Sequence, residues 1–227
     1  MKWDKQKKDI IKKYQEQFKK YGFNNKSLFT PGIKQNIRFK AIQEIGINSN
    51  DSILDVGCGF GDLLQYLNST IDYKGAYTGV DIMEEFINVC KEFYPLDDFR
   101  VLDILDKNNS IEEKWDYVVL SGTLNINVGE NHLEYVKTMI SKMFDLSVKG
   151  VSIDFVSIEG DDRNKEIYRM DPEIIFRFAK TLTKRVVLRN DYLPWEFSVY
   201  LYKDDAITSD KVYSDYHFDE VIKYNNK

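Results

Sequence analysis

Apolar positions along the chain recur with two different periods, and the alternation between them predicts a layered α/β architecture. Ile10, Tyr14, Phe18 and Tyr21 repeat at spacings of 4, 4 and 3. That predicts an amphipathic helix over about 4–21 with a lysine-rich, solvated opposite face. After a loop from Gly22 to Gly32, Ile33, Ile37, Ala41 and Ile45 share one face of a second helix at about 33–45. Short apolar runs then predict strands at 52–56, 76–80, 99–102, 116–120, 150–156, 185–189 and 196–202. Helices fit between them near 62–69, 84–93, 131–147 and 172–180. Asp116-Tyr-Val-Val-Leu120 is continuously apolar after its first residue, as a strand covered on both faces requires. Only a few residues around Pro194 join the last two strands. They therefore form a hairpin, and the seventh strand runs antiparallel to its neighbours. From Asp204 the pattern fades, and Tyr213, Tyr216 and Phe218 either pack or belong to a frayed tail.

Composition narrows the class without naming the chemistry. The 227 residues suit one α/β domain and a sizeable core. A net charge of −5 and a pI near 5.2 argue against nucleic acid as a partner. Cys58 and Cys90, the two cysteines, imply neither a disulfide framework nor a zinc site. No signal-peptide pattern opens the chain and no apolar run approaches membrane-spanning length, so a cytoplasmic location without a membrane partner is expected.

The chemistry concentrates at Ile53-Leu-Asp-Val-Gly-Cys-Gly-Phe-Gly-Asp62. A buried strand here ends in an acid, and three alternating glycines lead into a helix. Such a turn lets backbone approach a ligand closely, with helix amides just beyond it. Asp81 ends the next strand, twenty residues after Gly61, where a carboxylate meets a ribose diol in nucleotide-binding sheets. The glycines do not follow the dinucleotide Gly-x-Gly-x-x-Gly spacing, and no Gly-Lys-Ser/Thr follows them. Asp55 and Asp62 would repel a pyrophosphate and suit a cation instead. A nicotinamide enzyme stays open as the alternative. Strand ends also nominate Cys58, Ile82, Asp103, Ile104, Ser121 and Gly122.

This pattern resembles the class I S-adenosylmethionine-dependent methyltransferases, whose cofactor carries an ammonium and a sulfonium but no phosphate. The resemblance implies a doubly wound, Rossmann-like seven-stranded sheet with an antiparallel last strand and an N-terminal helical cap. On this chain the cap would span 1–46, the core 47–203 and the tail 204–227. It implies S-adenosylmethionine as cofactor and S-adenosylhomocysteine as product. Asp55, Gly57, Gly59 and Asp81 would hold the cofactor, with Asp103 facing the adenine amine. Ser121 backbone would line the methionine end. Tyr21-Gly22, Gln35-x-x-Arg38-Phe39, Ser121-Gly-x-x-Asn125, Lys149-Gly150 and Asp191-Tyr-Leu-Pro-x-Glu-Phe197 resemble a compact bacterial subfamily. Some of its members serve surface-polysaccharide pathways, including capsules with O-methyl phosphoramidate. Where such relatives carry His-Asp-Tyr, this chain has Asn190-Asp191-Tyr192.

Methyl transfer from a sulfonium is an in-line displacement, so alignment matters more than any one side chain. The family's Asn/Asp-Pro-Pro-aromatic tetrapeptide for base amines is replaced by Ser121-Gly-Thr-Leu124, and no acidic ligand cluster follows Asn125. A small polar acceptor, methylated at oxygen without a metal, is expected. His132 and Tyr192 are the candidates for catalysis, with His217 assigned a structural or exposed place in the tail. Arg38, Asn125 and Tyr168 are the candidates for acceptor binding, with Arg169 beside the last. Tyr14, Tyr21 and Phe29 would wall the pocket. A cofactor-binding protein without transferase activity, or a protein methyltransferase reading the Glu159–Asp162 region, are the alternatives. Oligomeric state is not legible.

Overall fold

A computed structural model describes the chain except for residues 1, 2, 30, 31, 110, 128, 130, 161–166 and 205–227. The expectations for Tyr213, Tyr216, His217, Phe218 and the Asp161–Asp162 acids fall outside the described residues. The expected helices form α1 (Asp4–Tyr21), α2 (Gly32–Gln43), α3 (Asp62–Ile71), α4 (Glu84–Phe93), α5 (His132–Leu146) and α6 (Pro172–Leu182). The strands are β1 (Ile53–Val56), β2 (Tyr77–Asp81), β3 (Asp98–Val101), β4 (Trp115–Leu120), β5 (Ser147–Val156), β6 (Val186–Arg189) and β7 (Glu196–Tyr202). Asp171 caps α6, its side chain accepting from the Glu173 amide, and Pro172 supplies the first helical φ.

One seven-stranded sheet orders the strands β3-β2-β1-β4-β5-β7-β6. The first five strands in sequence are parallel, while β7 pairs antiparallel with both β5 and β6. Strand order reverses between β1 and β4, where Ile53 aligns with both Tyr77 and Tyr117. That reversal opens a crevice beyond the carboxyl ends of the strands.

Each face of the sheet has its own core. Leu54, Val118, Ile153 and Phe197 pack with Val136, Ile140 and Met143 of α5 and Ile175 of α6. Ile53, Val119 and Tyr200 pack with Ile42 of α2, Leu64 of α3 and Ile87 of α4. Burial on both sides explains why the strands read as apolar runs rather than alternations.

Two helix faces differ from their sequence reading. On α1 the cap packs through Ile11, Tyr14 and Phe18 against Phe60, Met83 and Phe86, while Tyr21 is exposed. On α2 the buried residues are Phe39, Ala41 and Ile42, continuing to Ile45 beyond the helix, and Ile37 faces outward. Phe39 lies one turn from Ile42 as Ile37 does from Ala41, and the larger Phe39 takes the buried side in place of Ile37.

Candidate functional site

The cavity at the crevice measures about 140 Å³, and Lys7, Tyr14 and Leu28 of the cap segment line it. Its floor is the turn after β1. Gly57 and Gly59 sit at φ of 74° and 55°, in the left-handed region that glycine alone adopts freely. Backbone rather than side chain therefore faces the cavity there. A Cβ on Gly57 would lie 2.0 Å from Thr123 Oγ1, so the β4 exit packs directly on this turn.

Carboxylates ring the floor. Asp81 accepts from the Gly59 amide at 3.1 Å and the Met83 amide at 2.9 Å. Burial lifts its pKa to about 6 against the pull of those amides. Asp55 accepts from the Tyr77 hydroxyl at 2.5 Å. Burial raises it to about 7; the phenol works the other way, while the fields of Asp81, Asp62 and Asp154 push further up. Asp103 accepts from Leu105 N at 2.9 Å and pairs with Lys7 of α1. Lys7 has only helix periodicity to mark it in sequence, so its ion pair with a residue 96 positions away was not legible.

Nearly all the strand-end nominees line one cavity: Asp55, Gly57, Cys58, Gly59, Asp81, Ile82, Asp103, Ile104, Ser121 and Gly122. Asp62 does not; it sits at the start of α3, accepting from Gln35 Nε2 at 2.9 Å, while Gln35 itself lines the cavity. Of the aromatic wall candidates, Tyr14 lines the cavity and Tyr21 and Phe29 are exposed. Cys58 and Cys90 are both free and buried.

The cradle fits a phosphate-free nucleoside cation. Glycine backbone leaves room for it, and Asp55 and Asp81 supply negative field. Among the described residues no group of His, Cys, Asp and Glu is arranged to hold a metal ion.

The acceptor candidates scatter. Arg38 reaches the cavity wall, but its fork is engaged by Glu196, Nε to Oε2 at 2.6 Å and Nη2 to Oε1 at 2.5 Å. Burial opposes its charge, and the bonds to Glu196 with the field of Asp154 more than restore it. Asn125 braces loops outside the cavity: its Oδ1 accepts from Val156 N at 3.0 Å and its carbonyl from Tyr168 N at 2.8 Å. His132 is 1% exposed and stacks on Tyr168, ring centroids 3.7 Å apart at 20°. Burial drives its pKa down to about 4, so it is neutral there and lies behind the wall. Tyr192 bonds Ser198 at 2.8 Å and lines a shallow outer groove along α2 with Lys40 and Arg189.

Behind Ser121 lies a residue not singled out from sequence. Asp154, buried near the C-terminal end of β5, accepts from Ser121 Oγ at 2.5 Å and from Gly122 N at 2.8 Å. The signal was there in Ser152-Ile-Asp-Phe-Val156, a carboxylate flanked by apolar residues in a central strand.

A family model described as a methyltransferase domain matches residues 47–183. Among curated relatives, "Putative methyltransferase Rv1506c" of Mycobacterium tuberculosis is 28% identical over 168 residues, 69% of this chain and 97% of that protein. "Putative methyltransferase 235L" of Invertebrate iridescent virus 6 is 32% identical over 110 residues, 47% of this chain. That match spans only 40% of the viral protein's own length. Among solved structures, a SAM-dependent methyltransferase from Aquifex aeolicus superposes with a TM-score of 0.57 at 20% identity, covering 78% of this chain and 95% of its own. The plantazolicin methyltransferase BpumL, solved with a triazolic desmethylPZN analog and SAH, gives 0.58 at 16% identity, covering 89% and 99%. These likenesses share the fold described above.

Proposed function

This chain belongs to the methyltransferase domain family, and we propose that it moves the methyl group of S-adenosylmethionine to a hydroxyl oxygen of a small polar metabolite. The observation that carries the reading is the cavity itself, where the glycine turn and Asp55, Asp81 and Asp103 share one wall. When bound, S-adenosylmethionine supplies an electrophilic methyl carbon beside a sulfonium. The chain's residues bind and orient. Asp81 sits where ribose hydroxyls meet a carboxylate, and Asp55 gives the floor its negative field. Asp103 is the adenine-side carboxylate, shared with Lys7 of the cap. Ser121, Gly122, Thr123, Gln35 and Arg38 face the remaining volume, where the acceptor belongs.

Two features favour a small acceptor. Helix α1 and the turn at Asn25–Leu28 bring Lys7, Tyr14 and Leu28 onto the cavity, narrowing it from the cap side. The Arg38–Glu196 pair closes the side toward β7. A role in bacterial surface-polysaccharide methylation, phosphoramidate capsules included, belongs to the same proposal and rests on the sequence motifs. Calorimetry with S-adenosylmethionine and S-adenosylhomocysteine tests the binding half; heat with neither ends the reading. Formation of S-adenosylhomocysteine across sugars, polyols and hydroxy acids tests the oxygen half. Turnover confined to amines or to protein substrates would replace it.

A further inference from the structure

We propose that Ser121 and Asp154 form a proton relay, Ser121 Oγ taking the acceptor's hydroxyl proton while passing its own to the Asp154 carboxylate. The inference rests on the oxygen-acceptor reading above and adds to it where the proton goes.

Three observations carry it. Ser121 lines the cavity at the exit of β4, beside the turn that faces the cofactor, whereas Asp154 lies behind it and is only 1% exposed. The hydroxyl already donates to Asp154 Oδ2 at 2.5 Å, so its lone pairs remain to accept from an acceptor hydroxyl on the cavity side. Asp154 Oδ1 is fixed by the Gly122 amide at 2.8 Å, which holds the carboxylate plane toward Ser121. The hydroxyl thus joins the cavity to a buried charge.

The surroundings make that charge a proton sink. Arg38 from α2 and Glu196 from β7 neutralise each other through their fork, leaving Asp154 as the excess negative charge of the cluster. Tyr192 from the β6–β7 connection and Asp55 from β1 also face it. Burial raises the Asp154 pKa; Arg38 and the bonds from Ser121 and Gly122 lower it, and Glu196 raises it further. The net upward direction brings its basicity closer to that needed near neutral pH.

The step balances without a further reagent. The acceptor O–H bond breaks and an O–CH3 bond forms as the carbon–sulfur bond breaks, the electron pair of that bond staying on sulfur. The acceptor proton moves to Ser121 Oγ, the serine proton moves to Asp154 Oδ2, and the carboxylic acid later releases it to solvent. Positive charge leaving sulfur would otherwise build on the acceptor oxygen, and the carboxylate one bond behind offsets it. Ser121 is the catalytic residue in this scheme, and Asp154 is a positioning residue that acts through it.

The test has two arms. With any hydroxyl acceptor that the wild type methylates, Asp154→Asn and Ser121→Ala should each lower kcat by about 10²- to 10⁴-fold. Ser121→Thr, which keeps a hydroxyl, should recover much of the loss. The wild-type kcat should fall as pH drops and Asp154 takes up a proton, and Asp154→Asn should erase that limb while leaving S-adenosylhomocysteine affinity within about threefold. Wild-type turnover and pH profile in Asp154→Asn would overturn the relay. Wild-type failure on every hydroxyl acceptor would instead overturn the oxygen reading beneath it. The second arm needs no acceptor: infrared spectra of protein labelled with ¹³C at aspartate carboxyls, compared between wild type and Asp154→Asn. A protonated-carboxyl band assigned to Asp154 should grow as pH falls, at higher pH than for an exposed aspartate, and shift in Ser121→Ala. A carboxylate that titrates no higher than an exposed aspartate overturns the proposal.

Discussion

Arg38 and Glu196 stand 158 positions apart and meet through two charge-assisted bonds, 2.6 Å and 2.5 Å long, that fasten α2 to the first residue of β7. The carboxylate is 2% exposed and the guanidinium 12%, so removing either partner leaves a largely buried charge unpaired. Arg38→Met or Glu196→Leu alone should destabilise the protein by about 3–5 kcal/mol in urea unfolding. The double variant should cost less than either single change, because an apolar pair leaves no buried charge behind. Costs that simply add would show the two residues to be independent.

Gly57→Ala meets two obstacles at once. Its φ of 74° costs an alanine about 1–2 kcal/mol, and the new methyl would collide with Thr123 Oγ1. The variant should melt earlier and bind S-adenosylhomocysteine at least about tenfold more weakly, which calorimetry would read. Adding Thr123→Ala should return only part of the loss, since the backbone strain stays. Full recovery would place the whole effect in the clash.

Asp55 and Asp81 make ligand binding and stability respond to pH in opposite senses. Their folded pKa values are raised, to about 7 and about 6, from 3.8. Between those limits the folded state holds more protons than the unfolded one. The stability they contribute is therefore present at low pH and lost as pH rises from about 4 to about 7. Over the same interval the floor gains negative charge. S-adenosylmethionine should bind more tightly as pH rises and release protons, and its advantage over the uncharged-sulfur product should widen. Calorimetry in buffers of differing ionisation heat would count those protons. Asp55→Asn should flatten both trends, and an unchanged proton count in that variant would contradict the assignment.

His132 works in the other direction. Its pKa falls from 6.5 to about 4 on folding because burial penalises the imidazolium. The unfolded state binds more protons in that window, so this contribution is full above about pH 6.5 and is lost as pH drops toward 4, amounting to about 3 kcal/mol at most. His132→Phe preserves a ring on Tyr168 and should remove that acid-side loss in urea unfolding measured at several pH values. An identical pH dependence would mean the ring is not buried neutral.

Much of the fold was legible because sheet and helix announce themselves locally. Glu84 to Phe93 begins with acids and carries an apolar stripe, and helix α4 occupies those ten residues. The two-sided burial of β4 followed from its unbroken apolar run, and the short link at Pro194 gave the antiparallel β7. The face of α2 was not legible, because Ile37 and Phe39 fit the helical period equally and only the sheet beneath chooses between them.

The site divides along the same line. Glycine spacing and acids at strand ends are local features, so the chain by itself located the glycine turn and the acids from Asp55 to Asp81 that line the cavity. Long-range pairing decided the rest. Lys7 on Asp103, Arg38 on Glu196, Ser121 on Asp154 and His132 beneath Tyr168 join residues 33 to 158 positions apart. No spacing rule encodes such contacts, because each depends on which faces of separate elements the packed sheet turns toward one another.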